Sequence, residues 1–281
     1  MADITQLRAE CVQELVREAK GECFMDDLLA RCAFNGFNEG AEMLIRAALG
    51  RDDLQVVETT TQLELSSRDY RGLIIDIQAR TPDGTRFNIE VQRTQNGAPP
   101  ERGMFHMAMM ASHTLPKGTK DFRLLPTIYV IFFNEHDELR NGRPLSKFVW
   151  YDTDNSEKLS DKQSIVYING SLPQESPLLA SVVHDMFCKE YTEMENQVLA
   201  DRMKYLRTDE GEDEMLDYVY SKLYNHIQLE RADAKREGKE EGKVSDARAM
   251  LADNMPHELV VKYTGLTMEQ VEALSKELAT A

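Results

Sequence analysis

The sequence predicts an α/β chain: a mixed β-sheet covered by helices, followed by an all-helical C-terminal region. Three observations predict it. Apolar residues recur at helical spacing over residues 1–50. Strand-like segments then cluster between Val56 and Arg93 around a tight turn. From Pro177 onward every apolar pattern is helical again.

Ile4–Ala19 carries Ile4, Leu7, Cys11 and Leu15 at helical spacing. Phe24–Phe34 is a second helix ending near Gly36, and Asn38–Leu49 a third, with Ala41, Leu44, Ile45 and Ala48 on one side and Gly50 as its stop. Val56–Leu65 is β-branched and alternating. Leu73–Arg80 and Arg86–Arg93 flank Thr81-Pro82-Asp83-Gly84-Thr85, whose proline, aspartate and glycine set up a hairpin turn. After a loop at Asn96–Pro100, the Met-rich stretch Glu101–Leu115 reads as a helix closed by Pro116 and Gly118. Thr127–Phe133 is continuously apolar, the pattern of a strand buried on both faces. Arg140–Pro144 is a turn; Phe148–Tyr151 and Ser164–Ile168 are expected strands, the latter stopped by Asn169-Gly170. Leu178–Glu190, Glu195–Arg207 and Glu214–Arg231 are amphipathic helices. Glu230–Lys243 is a charged linker helix, and Ser245–Asn254, His257–Tyr263 and Thr267–Leu278 are three short ones.

The 281 residues are 42% hydrophobic, enough for a core, and carry a formal net charge of −16. That total argues against simple attraction to nucleic-acid phosphates. The acid surplus, however, lies in the first third and the C-terminal helices. From Gln62 to Lys147 acids and bases nearly balance, with a slight basic excess. The polar stretch Met1–Glu10 predicts no secretory leader, and Ile128–Phe133 is too short to span a bilayer, so a cytoplasmic chain without a membrane anchor is expected. Cys11, Cys23, Cys32 and Cys188 form no CxxC pair and read as free thiols.

Chemistry concentrates on the hairpin. By strand alternation, Leu73, Ile75, Ile77 and Ala79 share one face with Phe87, Ile89 and Val91, a uniformly apolar surface for helices. The other face holds Asp76, Gln78, Asn88, Glu90 and Gln92. If Thr81 pairs with Thr85, Asp76 lies directly opposite Glu90. Two facing carboxylates repel unless solvated or bridged by a cation, and their hard oxygens suit Mg²⁺ or Mn²⁺. A hairpin with one solvated face shows the same alternation without binding anything.

The run Asp69-Tyr70-Arg71-Gly72-Leu73-Ile74-Ile75-Asp76-Ile77-Gln78-Ala79, followed by Asp83-Gly84-Thr85-Arg86-Phe87-Asn88-Ile89-Glu90-Val91-Gln92-Arg93, resembles the PD-(D/E)XK nuclease family transposases, relatives of bacterial recombination-promoting nucleases. Thr61-Gln62, Arg102, Leu125-Pro126 through Ile131-Phe132-Phe133-Asn134, His184-Asp185-Met186-Phe187-Cys188 and Leu199-Ala200-Asp201-Arg202 extend the likeness, from about Phe34 to the C-terminus.

The resemblance implies a restriction-endonuclease-like sheet flanked by helices, and DNA phosphodiester hydrolysis. Asp76 and Glu90 would be metal ligands, with the Val91 carbonyl beside them. Gln92 would occupy the third motif position, where related nucleases usually have lysine. Glutamine donates a hydrogen bond but no charge, so weak or conditional activity, or a nuclease scaffold serving only to bind DNA or a protein, is the alternative. Arg93 and Arg102 are candidates for the missing charge and for DNA contact. Glu39 and Glu42 are candidates for an upstream acid, Glu42 preferred. The implied organisation is a nuclease-like core over 1–190, a helical extension and linker helix over 191–244, and a helix-turn-helix-like tail over 245–281. The tail's last helix begins Thr267-Met268-Glu269-Gln270, too poor in basic residues for base reading, so packing or homo-oligomer formation is the expected role.

One histidine pair and one histidine–cysteine pair have suggestive spacing. His106 and His113 share a helical face and could approach the site. His184 and Cys188 stand four apart, with no further ligands to make a metal set. Met104, Met107, Met109 and Met110 read as packing surface.

Overall fold

Helices form first along the chain, as the apolar spacing predicts. The computed structural model describes residues 2–65, 72–253 and 255–280, with side chains described over 10–65, 72–222, 242–253 and 255–277. Asp69, Tyr70 and Arg71 lie outside the described residues, as does Asn254. Helix α1 runs Ala2–Ala19, α2 Asp27–Phe34 and α3 Asn38–Leu49. Helix α2 starts later than its apolar pattern because Asp26 caps it, accepting the Leu29 N–H at 2.9 Å. Gly50 ends α3 at φ +63°, the left-handed conformation that glycine takes without steric cost.

Six strands follow: β1 Glu58–Leu65, β2 Leu73–Arg80, β3 Arg86–Gln92, β4 Ile128–Asn134, β5 Leu145–Phe148 and β6 Gln163–Asn169. They form one mixed sheet of order β1-β2-β3-β4-β6-β5. Strands β1, β2 and β3 are antiparallel; β3, β4 and β6 run parallel; β5 returns antiparallel to β6. The β2–β3 turn closes as its composition predicts. The Thr81 N–H bonds the Thr85 carbonyl at 3.1 Å, and Asp83 accepts the Thr85 N–H at 3.1 Å. The parallel β3–β4 pair requires a crossover, supplied by α4, Pro100–Ser112.

Strand β4 is buried along its whole length, as its apolar run predicts. Tyr129, Ile131 and Phe133 enter a core with α2 and α3 that also takes in Phe34, Leu44 and Ile45. Ile128, Val130 and Phe132 enter a second core beneath α4, with Met107 and Met110. Met104 departs from its expected packing role and is more than half exposed. The expected strand at Phe148–Tyr151 is displaced toward the N-terminus. The pairing of β5 puts Leu145 opposite Ile168, and Tyr151 keeps only an isolated bridge to Lys158. Phe148, Trp150 and Tyr151 are about half exposed, so their strand-forming character reflects local preference rather than burial.

Helices α5, Pro177–Phe187, and α6, Gln197–Leu206, pack Leu179, Val182, Met186, Leu199 and Met203 into the α2–α3 core. The three helical segments expected between Glu214 and Asn254 are one helix, α7, Asp209–Ala252. No proline interrupts it, and its glycines cost only about 1 kcal/mol each in a helix interior. Helices α8, His257–Thr264, and α9, Met268–Thr280, meet across Gly265, at φ +70°, around a small core of Ala247, Val260, Leu266, Val271 and Leu274. The chain divides into two compact units, Met1–Val219 and Tyr220–Ala281. Among the described residues no helix is long and apolar enough to cross a membrane.

Candidate functional site

Asp76 stands where the hairpin opens. The β2–β3 ladder runs from Arg80 opposite Arg86 to Ile77 opposite Ile89 and ends there. On the other side of β2, Thr61 pairs with Ile77 and Leu63 with Ile75, so Gln62 lies across from Asp76. Gln62 has φ +52°, a left-handed backbone inside a strand. Both strands turn over at this point. Ile77 and Ala79 belong to the α2–α3 core, whereas Leu73 and Ile75 belong to the core beneath α4. The uniformly apolar face expected from alternation is therefore split between the two sides of the sheet.

The opposite set is also not solvated. Asn88 and Glu90 have no exposed surface, and His106 of α4 covers them. Glu90 reaches back to the opened ladder: its Oε1 accepts the Asp76 N–H at 3.3 Å. Its Oε2 accepts from Arg102 Nη2 at 3.0 Å, and His106 Nδ1 lies 3.4 Å from Oε1. Arg102 Nε can only donate, and it faces His106 Nε2 at 3.4 Å. That selects the tautomer with its proton on Nδ1, toward Glu90 and Asn88. The Asn88 amide stands 2.7 Å from Nδ1, and its oxygen otherwise lacks a partner. Turning that amide presents its oxygen to the Nδ1–H.

The two acids are electrostatically distinct. Burial, then the negative charge of Glu90, pushes the Asp76 carboxyl up to about 7, against the pull of Arg31. Burial also opposes ionisation of Glu90, but His106, Arg102 and the Asp76 amide together outweigh it and hold that carboxyl below its usual range. Asp76 Oδ1 accepts from Arg31 Nη2 at 2.9 Å, and the same nitrogen is 2.8 Å from Asp27 Oδ1, one turn earlier on α2. Each acid is thus paired with an arginine from a different helix.

Gln92 ends β3 on the face of Glu90. Its amide oxygen packs against Gly97, where an added Cβ would stand 2.6 Å away. Val91 pairs with Phe133 across the β3–β4 ladder and buries its side chain in the α2–α3 core. Arg102 enters the centre; Arg93 instead makes exposed pairs with Glu135 at 3.3 Å and Glu22 at 3.5 Å. Glu42 is committed elsewhere. Its oxygens hold Arg46 at 2.7 Å and the Val56 N–H at 2.8 Å, bracing the approach to β1. Glu39 is exposed in the first turn of α3. His113 is exposed at the end of α4 and bonds the Met109 carbonyl at 2.8 Å, so only His106 of that pair reaches the centre. His184 turns to Asp185 at 3.0 Å and the Cys188 thiol to the Glu190 carbonyl, not to a shared ion.

Asp27 and Arg31 escape sequence reasoning. Their only local signal is an acid and a base four residues apart on a helix, a pattern common on solvated faces. Among the described residues no three His, Cys, Asp or Glu side chains gather as a metal set. A hollow of about 540 Å³ lies apart from this centre, lined by Met104, Met107, Trp150, Ile165 and Tyr167; no carboxylate, imidazole or guanidinium lines it.

Residues 52–176 match the family model of PD-(D/E)XK nuclease family transposases. This stretch covers the whole sheet and α4, and with them Asp76, Glu90, Gln92, Arg102 and His106; Asp27 and Arg31 precede it. The six-stranded mixed sheet flanked by helices is the restriction-endonuclease-like fold that such a match calls for. No curated protein and no solved structure matches the chain.

Proposed function

We propose, starting from the nuclease and transposase character of residues 52–176, that the chain is a divalent-metal-dependent DNA endonuclease, using Mg²⁺ or Mn²⁺, with Asp76 and Glu90 as its acidic centre. One observation carries the reading: a fully buried glutamate bonds the backbone of a buried aspartate where an antiparallel ladder comes apart. Two carboxylates kept in so little water are costly to maintain, and such perturbed groups cluster at functional sites. Their hard oxygens suit a divalent cation, and the raised Asp76 carboxyl marks excess negative charge that such an ion would relieve. A bound ion would supply positive charge at the scissile phosphate and a more acidic water. Arg102 and His106 orient the Glu90 carboxylate by holding its two oxygens. Gln92 can orient a water by hydrogen bonding but brings no charge to it. DNA is the substrate, the cytoplasm is the compartment, and a homo-oligomer is the form in which the acidic helical tail finds a partner.

A second reading has an observation of its own. Both acids already hold arginines, as in a scaffold that binds DNA or a protein without cutting. Supercoiled plasmid incubated with wild type and Asp76→Ala, in Mg²⁺, Mn²⁺ and EDTA, separates the two. The enzyme reading expects divalent-dependent nicking lost in the variant. Absence of nicking at any protein concentration, with DNA retention equal in both proteins, would establish the binding scaffold instead.

A further inference from the structure

The arginines beside the two acids are not equivalent. Arg102 uses every nitrogen inside the protein: Nη2 on Glu90 at 3.0 Å, Nη1 on the Gly97 carbonyl at 2.8 Å, and Nε facing His106 at 3.4 Å. It is a positioning residue, each of its three nitrogens engaged within the protein. Arg31 is held differently. A single nitrogen, Nη2, serves both Asp27 and Asp76, while its Nε–H is buried without a partner. An unsatisfied buried donor costs about 1–3 kcal/mol. The backbone beneath is fixed, because the Thr61 hydroxyl bonds the Arg31 carbonyl at 3.0 Å. Arg31 is thus an anchored residue whose guanidinium fork is only half used.

The Nε and Nη2 hydrogens lie along one edge of the guanidinium, the edge that grips two phosphate oxygens at once. A cation held by Asp76 would put its charge beside the Arg31 guanidinium, 2.9 Å from that carboxylate, and the repulsion favours turning the guanidinium toward an anion. We propose that Arg31 contacts the scissile phosphate and supplies the positive charge that Gln92 cannot, an assignment that rests on the nuclease reading above. In the resting arrangement Arg31 neutralises Asp76. With DNA seated, its side chain pivots a short way from the carboxylate to the phosphate and pairs its Nε–H. Asp27 steers the pivot by retaining part of the guanidinium.

Arg31→Gln and Arg31→Lys test this, with thermal melts to establish folding. Three readouts are taken: Mn²⁺ binding by electron paramagnetic resonance, retention of a short DNA duplex in Ca²⁺ across a salt series, and plasmid nicking in Mg²⁺. For Arg31→Gln the expectation is undiminished Mn²⁺ binding, DNA retention with a salt slope smaller by about one phosphate contact, and nicking lower by about 10²–10³-fold. Arg31→Lys keeps the charge, folds as wild type, and regains part of both DNA retention and nicking. Wild-type DNA retention and salt slope in Arg31→Gln overturn the phosphate contact, as does nicking within about threefold of wild type. Loss of Mn²⁺ binding in Arg31→Gln also overturns it, by making Arg31 an organiser of Asp76. If wild type neither binds Mn²⁺ nor nicks DNA, the nuclease reading fails by itself, and the salt slope still decides whether Arg31 holds phosphate.

Discussion

Asp76→Asn is expected to stabilise the ion-free protein, and by more as the pH rises. The folded Asp76 carboxyl retains its proton up to about 7 because burial and then Glu90 oppose its charge, whereas the exposed group titrates near 3.8. Between those values the folded state binds more protons than the unfolded one, so its stability falls with increasing pH. The penalty is nearly absent below the lower value and complete above the upper. At pH 8 it amounts to roughly 4 kcal/mol as an upper bound, and at pH 5 to less than half of that. Asparagine pays none of it and still offers Arg31 an oxygen. The gap between variant and wild type is therefore expected to widen by about 2–3 kcal/mol from pH 5 to pH 8, or about 5–10 °C in melting midpoint. Scanning calorimetry in EDTA at four pH values measures it. Saturating Mn²⁺ should raise the wild-type midpoint alone, since a ligand stabilises only the state that binds it. A gap that stays constant or narrows with pH would refute the reasoning, because Asp76 would then be no more costly to ionise folded than unfolded.

His106→Leu leaves Glu90 buried with one donor fewer and is expected to cost about 2–4 kcal/mol in chemical denaturation. In a Glu90→Gln background the same change should cost much less, a non-additivity that assigns the loss to the His106–Glu90 contact. Glu42→Ala removes the brace on Val56 and Arg46. It is expected to lower stability by about 1–3 kcal/mol while nicking per folded molecule stays within twofold; a larger loss of nicking would return Glu42 to the centre. Phe132→Ala hollows the core beneath α4, where Phe132 stacks on Tyr167 at a centroid distance of 4.9 Å. Thermal denaturation should show a loss of about 3–5 kcal/mol.

The register of the hairpin is legible because it is local. Pro82, Asp83 and Gly84 set the turn, Thr81 meets Thr85, and counting outward leads to Ile77 opposite Ile89, where the ladder ends one step short of the two acids. The buried β4 run is legible for a similar reason: seven consecutive residues with no solvent-facing position demand cover on both sides. What alternation misreads is which side of the sheet each residue faces. The segment Leu73–Ala79 alternates in sequence, but the left-handed Gln62 across from Asp76 turns the ladder over, and Ile75 and Ile77 separate into different cores. That turn lies in the neighbouring strand, so no inspection of β2 alone can find it. Arg31 and Asp27 are hidden for a related reason. A helix reports its own polar face in its spacing, but which strand that face meets is decided by packing between distant segments.

The misreading has a chemical consequence. Alternation presents Asn88, Glu90 and Gln92 as a wet strand face, on which a carboxylate needs no further account. Beneath α4 the same glutamate has no water, and it stays charged only because His106, Arg102 and the Asp76 amide converge on it. Removing one partner of a buried charge is far more damaging than replacing the whole group with apolar side chains. A chain selected for stability alone would reach an apolar cluster here more readily than four polar groups held in register. The convergence of Asn88, Glu90, Arg102 and His106 in one bonded set, beside an aspartate that is costly to ionise, therefore supports the proposed chemistry at this point independently of the motif spacing.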